Sequence, residues 1–128
     1  MNDTAQVKKK RAYLWGQGAE WLCMCFLIFK GYRILARRYR CKSGEIDLVA
    51  RKGSVLCFIE VKARQTKRAA LEAVSFRQKS RISRAAEWYM ARNGHDTGDI
   101  SCRFDVMAVE PWAWPTHVKD AWQTDVRK

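Results

Sequence analysis

Apolar and polar positions follow two different rhythms along this chain. Roughly residues 12–30 are apolar almost all round towards their C-terminal half and stop at Gly31, which predicts a buried helix closed by a glycine. Tyr32–Arg40 mixes branched and basic residues and predicts a strand, followed by a turn at Cys41–Gly44. Glu45–Arg51 and Val55–Ala63 are β-rich runs joined by Lys52-Gly53-Ser54, a hairpin signal. Ser75 is placed to cap a helix over 76–92 that ends near Asn93-Gly94. Ser101–Val109 predicts a last strand, stopped by Pro111, while residues 112–128 receive no assignment. Residues 1–11 are polar and basic and predict a flexible N-terminus. No repeat, low-complexity tract or linker interrupts the chain. The order α-β-β-β-α-β predicts an α/β fold, a mixed sheet flanked by helices, with residues 12–128 as one domain.

Composition narrows the class. The 128 residues suffice for one core, and 48% hydrophobic content with two prolines excludes wholesale disorder. The formal charge is +12. Lys30 to Arg84 holds sixteen basic residues against only Glu45, Asp47, Glu60 and Glu72, whereas the remainder balances nine against nine. A small domain this basic meets a polyanion, nucleic acid or an anionic membrane. Five cysteines without a CxxC pair fit neither a disulfide framework nor a zinc site, which points to reduced thiols in the cytoplasm. The apolar run Trp21–Phe29 follows a basic segment as in a secretory signal, but it lacks a small-residue cleavage site and is too short to span a bilayer.

Strand side chains alternate between faces. Cys57, Ile59 and Val61 share one face of their run, and Phe58, Glu60 and Lys62 share the other. In the preceding run Glu45, Asp47 and Val49 lie together, opposite Ile46, Leu48 and Ala50. Asp47 and the Glu60/Lys62 pair therefore interrupt strands that otherwise favour burial, and a buried charge needs a partner or a metal. Adjacent strands lie about 4.8 Å apart, so Asp47 approaches Glu60 if the register puts both on one face. A divalent cation relieves the repulsion between two such carboxylates, and Mg²⁺ takes one or two of them together with waters and phosphate oxygens. Lys62 projects beside the same site, where it would stabilise phosphoryl charge or orient a water. A buried salt-bridge cluster without chemistry fits the D-x12-E-x-K spacing as well.

Two helical residues add to this constellation. Glu20 shares its face with Cys23, Met24 and Leu27, and Gln78 shares a stripe with Ile82, Ala85 and Tyr89, so both face inward. Arg77, Arg81 and Arg84 lie nearer solvent. His95 and His117 are isolated and read as loop or surface residues, Arg103 and Asp105 read as an ion pair along one strand, and most of the six tryptophans read as core or edge packing.

Gly44-Glu45-Ile46-Asp47-Leu48-Val49-Ala50-Arg51, followed by Phe58-Ile59-Glu60-Val61-Lys62-Ala63-Arg64, resembles the YraN family of bacterial proteins. The likeness runs from about Gly16 to Trp122. It takes in Gly18-Ala19-Glu20, Gly31-Tyr32-Arg33-Ile34-Leu35-Ala36-Arg37, Glu72-Ala73-Val74-Ser75 and Arg103-Phe104-Asp105-Val106. Pro111-Trp112-Ala113-Trp114-Pro115 and Asp120-Ala121-Trp122 are similar to the alphaproteobacterial branch. The family is one of predicted endonucleases in the PD-(D/E)XK restriction-endonuclease-like superfamily and is similar to archaeal Holliday-junction resolvases. Ile46 stands in place of the superfamily's proline, as is usual in the YraN group, and Phe76 stands where a proline is expected at the first helical turn.

The resemblance implies Asp47 and Glu60 as ligands of Mg²⁺ or Mn²⁺, with the Val61 carbonyl and Glu20 completing the set. It also implies Lys62 as the charge-stabilising or water-orienting residue and Gln78 as the helical partner. DNA contacts are expected from the basic stretch, at Arg37, Arg38, Arg40, Lys42, Arg64, Arg77, Lys79 and Arg81. The expected activity is divalent-metal-dependent hydrolysis of DNA phosphodiesters, at branched or junction structures. A homodimer follows by analogy with relatives that make two symmetric cuts. The alternative is a non-catalytic nucleic-acid-binding module that kept the fold; membrane association is weaker, because no basic amphipathic helix supports it.

Overall fold

The computed structural model describes the backbone of residues 2–94 and 99–123, and side chains from Trp15 onward within those ranges. The elements are α1 (Asn2–Phe29), β1 (Arg33–Cys41), β2 (Gly44–Lys52), β3 (Val55–Ala63), α2 (Lys67–Glu72), α3 (Phe76–Arg92), β4 (Ser101–Val109) and β5 (Thr116–Trp122). They form the single α/β domain expected, a five-stranded mixed sheet in the order β1-β2-β3-β4-β5, compatible with a restriction-endonuclease-like fold. Neighbours pair antiparallel except β3 and β4, which run parallel. A parallel pair needs a crossover, and α2 with α3 supplies it.

The sheet separates two cores. On one face α1 buries Ala19, Cys23, Met24 and Leu27 against Leu48, Ala50, Cys57 and Ile59. On the other, Ile82, Ala85, Ala86 and Tyr89 of α3 pack on Val49, Phe58 and Phe104. Helix ends follow local rules. At the end of α1, Gly31 takes φ 93°. Its N–H donates to Ile28 O at 3.0 Å while the Tyr32 N–H donates to Leu27 O at 2.9 Å, the double bond of a Schellman motif. The Ser75 hydroxyl accepts from the Gln78 N–H at 3.1 Å and starts α3 where expected. Gly44 serves packing rather than a turn: a Cβ there would sit 3.2 Å from Arg81, so its absence lets α3 approach the start of β2.

Four features depart from the sequence reading. The first helix begins at Asn2 rather than near residue 12. A short helix, α2, follows Thr66, whose hydroxyl accepts from the Ala69 N–H at 3.0 Å. The unassigned tail contains β5, paired antiparallel with β4 across a register shift between Phe104 and Val106. Ile46 packs in the same core as Val49 instead of opposite it, because strict alternation fails where β2 leaves its ladder with β3.

A buried polar cluster fastens β5. Asp105, fully buried, accepts from Arg103 Nε and Nη2 at 2.9 Å each, from the Asp120 N–H at 3.0 Å, and bonds His117 Nε2 at 2.7 Å. Burial pushes its carboxyl up, but the bonds from His117, Arg103 and the Asp120 amide outweigh that and leave it below the ordinary value. The Arg103–Asp105 pair is thus as expected. His117 is not a surface residue: its side chain is 3% exposed and belongs to this cluster. His95 lies outside the described residues.

Candidate functional site

Pairing of β2 with β3 runs from Lys52↔Val55 to Leu48↔Ile59 and stops there. Asp47 and Glu60 would be the next partners, and at this step the strands part. The Val61 N–H donates to Asp47 Oδ2 at 2.9 Å, so a carboxylate occupies the place of a ladder carbonyl. A residue in an extended strand sends its N–H and C=O to the same side, so the Val61 carbonyl is directed at the same gap. Glu60 is 5% exposed and accepts at Oε2 from Gln78 Nε2 at 2.8 Å, which fastens it to α3. Asp47 is tied to the main chain of β3 and Glu60 to α3, and both line the opening where the strands part.

The electrostatics follow from this packing. Burial, then the neighbouring Asp47, push the Glu60 carboxyl up from 4.5 to about 10, while Lys62 and the Gln78 bond pull it back only in part. The packing thus favours the neutral form of Glu60 well above the ordinary carboxylate range. The Cys23 thiol on α1 is pushed up to about 12 by burial first and then by the charges of Asp47 and Glu20. Both carboxylates thus lie near this thiol, which stays protonated and is no nucleophile.

These groups open into a cleft of about 910 Å³. One wall is α1, from Trp15 to Glu20. The floor is Asp47 with Glu60 to Ala63, and the far wall is the start of α3 with Ser75, Arg77, Gln78 and Arg81. Glu20 lies on this wall as its helical face requires, but Arg38 Nε and Nη2 donate to its Oε1 and Oε2, each at 3.4 Å. Among the described residues no three His, Cys, Asp or Glu side chains converge closely enough to hold an ion together. The sequence reading placed Arg38 only among DNA contacts and gave no sign of its tie to Glu20. That tie depends on a backbone turn, since Arg38 takes φ 52° within β1.

The other basic residues divide into two groups. Arg38, Lys62, Arg64, Arg77 and Arg81 line the cleft. Arg37 instead covers the Trp21 ring at 4.9 Å, Arg40 pairs with Glu45 at 3.5 Å, Lys79 reaches over Trp122 at 5.9 Å, and Lys42 is exposed in the β1–β2 turn. Among the described residues no helix is long and apolar enough to cross a membrane.

Comparison with known proteins places this architecture in a bacterial family. A UPF0102 protein of Mesorhizobium japonicum is 46% identical over 121 residues, covering 94% of this chain and 96% of its own. A UPF0102 protein of Chelativorans is 45% identical over 94% of this chain and 96% of its own, and one of Maricaulis maris is 46% identical over 89% of each. The family model described as uncharacterised protein family UPF0102 matches residues 19–109, from the middle of α1 to the end of β4. With Glu20, the floor and the α3 wall of the cleft inside that span, the chain belongs to the UPF0102 family.

Proposed function

We propose that this protein is a divalent-metal-dependent endonuclease that hydrolyses DNA phosphodiester bonds, as members of the PD-(D/E)XK superfamily do. The observation that carries the reading is the gap where β2 parts from β3, with Asp47 held by the Val61 main chain and the buried Glu60 held by Gln78 on the floor of a basic cleft. Two carboxyls and a main-chain carbonyl directed at one gap are the oxygen donors that Mg²⁺ or Mn²⁺ takes. Asp47, Glu60 and the Val61 carbonyl would hold the ion. When bound, it would lower the pKa of a water and neutralise charge on the phosphoryl oxygens.

The chain's own residues supply the rest. Arg64, Arg77 and Arg81 on the rim would hold the backbone phosphates of DNA, and Lys62 would orient the attacking water or stabilise the charge that builds on phosphorus. Gln78 keeps Glu60 aimed at Asp47. In the reaction the water oxygen bonds phosphorus, the bond to the leaving oxygen breaks, and that oxygen takes up a proton. A branched substrate and a homodimer belong to the same proposal, by analogy with junction-cutting relatives.

The test is incubation of the purified protein with branched, flapped and linear DNA, with and without Mg²⁺ or Mn²⁺. Cleavage that needs the metal and disappears in Asp47→Asn is expected. The engagement of Glu20 by Arg38 favours a second reading, a nucleic-acid-binding module without catalysis. DNA binding with no cleavage of any substrate would select it.

A further inference from the structure

The ion pair between Glu20 and Arg38 sits on the wall of the proposed catalytic cleft. Its two contacts are 3.4 Å each, longer than the roughly 2.7–2.9 Å of a tight charged bond. The Arg38 side chain is 37% exposed while that of Glu20 is 17% exposed, so the guanidinium is the more accessible of the two partners. Arg38 stands between Arg37, paired with Leu48, and Tyr39, paired with Ile46, which sets it across from Asp47. Its φ of 52° is uncommon for a long side chain, and residues held this way cluster at working sites. Glu20 in turn lies near enough to Cys23 for its charge, together with that of Asp47, to perturb the same thiol.

Without Arg38, Glu20 would add a further negative charge to the cleft that holds Asp47 and Glu60. With it, Glu20 is neutralised and held to β1. A DNA phosphate entering the cleft offers Arg38 a second planar, bidentate partner, and a phosphate that takes the guanidinium leaves Glu20 without its counter-ion. A cation held at Asp47 and Glu60, on the floor of the same cleft, would then compensate it.

Resting on the endonuclease reading, we infer that Arg38 is a positioning residue that withholds Glu20 from the metal until a DNA phosphate displaces it. Metal binding and DNA binding then strengthen each other, as linkage between two sites requires. An ion pair this loose and partly exposed sets the size of the effect at roughly two- to fivefold in affinity.

The test measures Mn²⁺ affinity by electron paramagnetic resonance on the full chain, in a Lys62→Met background so that DNA survives. Arg38→Asn is the primary variant because asparagine accepts the left-handed backbone. Arg38→Lys retains the charge without the fork. In the absence of DNA, Arg38→Asn is expected to bind Mn²⁺ two- to fivefold more tightly than its parent. Adding branched DNA should tighten the parent by two- to fivefold more than it tightens Arg38→Asn, with Arg38→Lys in between. Glu20→Gln should abolish the difference that Arg38→Asn makes. Equal or weaker Mn²⁺ binding by folded Arg38→Asn, or an effect that persists in Glu20→Gln, overturns the inference and leaves the endonuclease reading standing. If the parent binds no Mn²⁺ with or without DNA, both fall.

Discussion

Replacing Glu60 by glutamine should stabilise this protein, although the residue lies at the centre of its proposed active site. The folded chain favours the neutral form of Glu60, with a value of about 10 against an ordinary 4.5. The unfolded chain ionises it, so at pH 7 folding takes up a proton across about two and a half pH units. At roughly 1.4 kcal/mol per unit this costs up to about 3 kcal/mol. The sign follows from the raised value. Stability is fully present below about pH 4.5, falls as pH rises, and levels off once pH passes the folded-state value. Glutamine avoids that penalty and keeps the bond to α3, since its carbonyl accepts from Gln78. Urea unfolding in EDTA at pH 5, 6, 7 and 8 would show Glu60→Gln gaining on wild type as pH rises, by up to about 3 kcal/mol at pH 7. Mn²⁺ should stabilise wild type more strongly as pH rises, since the ion displaces the proton, and should do little for the variant. A Glu60→Gln protein that is less stable at pH 7, or that shows the same pH slope as wild type, would refute the neutral Glu60.

Further outcomes follow from the same cleft. Lys62→Met should leave DNA affinity nearly unchanged and reduce single-turnover cleavage by about 10²–10³, whereas Arg77→Ala should weaken binding more than turnover. If about six phosphates are neutralised, affinity should fall roughly a thousandfold between 50 and 200 mM salt, and a flat titration would exclude a phosphate-binding cleft. Thermal unfolding with Mn²⁺ at a hundredfold its dissociation constant should show about 2.7 kcal/mol of stabilisation in wild type and none in Asp47→Asn.

The parts of this molecule that were legible in its sequence are those governed by local rules. Ser75 starts α3 and Gly31 ends α1 because capping is decided within a few residues. Gln78 and Glu20 face inward because helical spacing fixes their neighbours. Strand alternation located Glu60 and Lys62 but misplaced Ile46, because the rule assumes a continuous ladder and β2 leaves its partner at Leu48. In β5 the period is hidden by Asp120, which takes φ 54° and turns its amide to Asp105, so that strand is recognised only with β4 beside it. The short α2 offers six residues, too few for a helical period to declare itself. The Glu20–Arg38 pair joins residues eighteen apart through a backbone conformation that an arginine does not announce.

The parting of β2 from β3 also gives the cleft a built-in reporter. Along a strand, amides are ordinarily shielded from exchange with solvent by the neighbouring backbone, and their protection reports opening of the sheet. Val61 is an exception: its N–H is held by the side chain of Asp47, while pairing with β2 has already ended at Ile59. Its deuterium uptake is therefore set by whatever Asp47 is doing. An ion, a neighbouring charge or a substitution that draws this carboxylate away would expose one amide in an otherwise closed sheet. The exchange rate of a single backbone hydrogen would then record occupancy of the site, with no turnover and no substrate required.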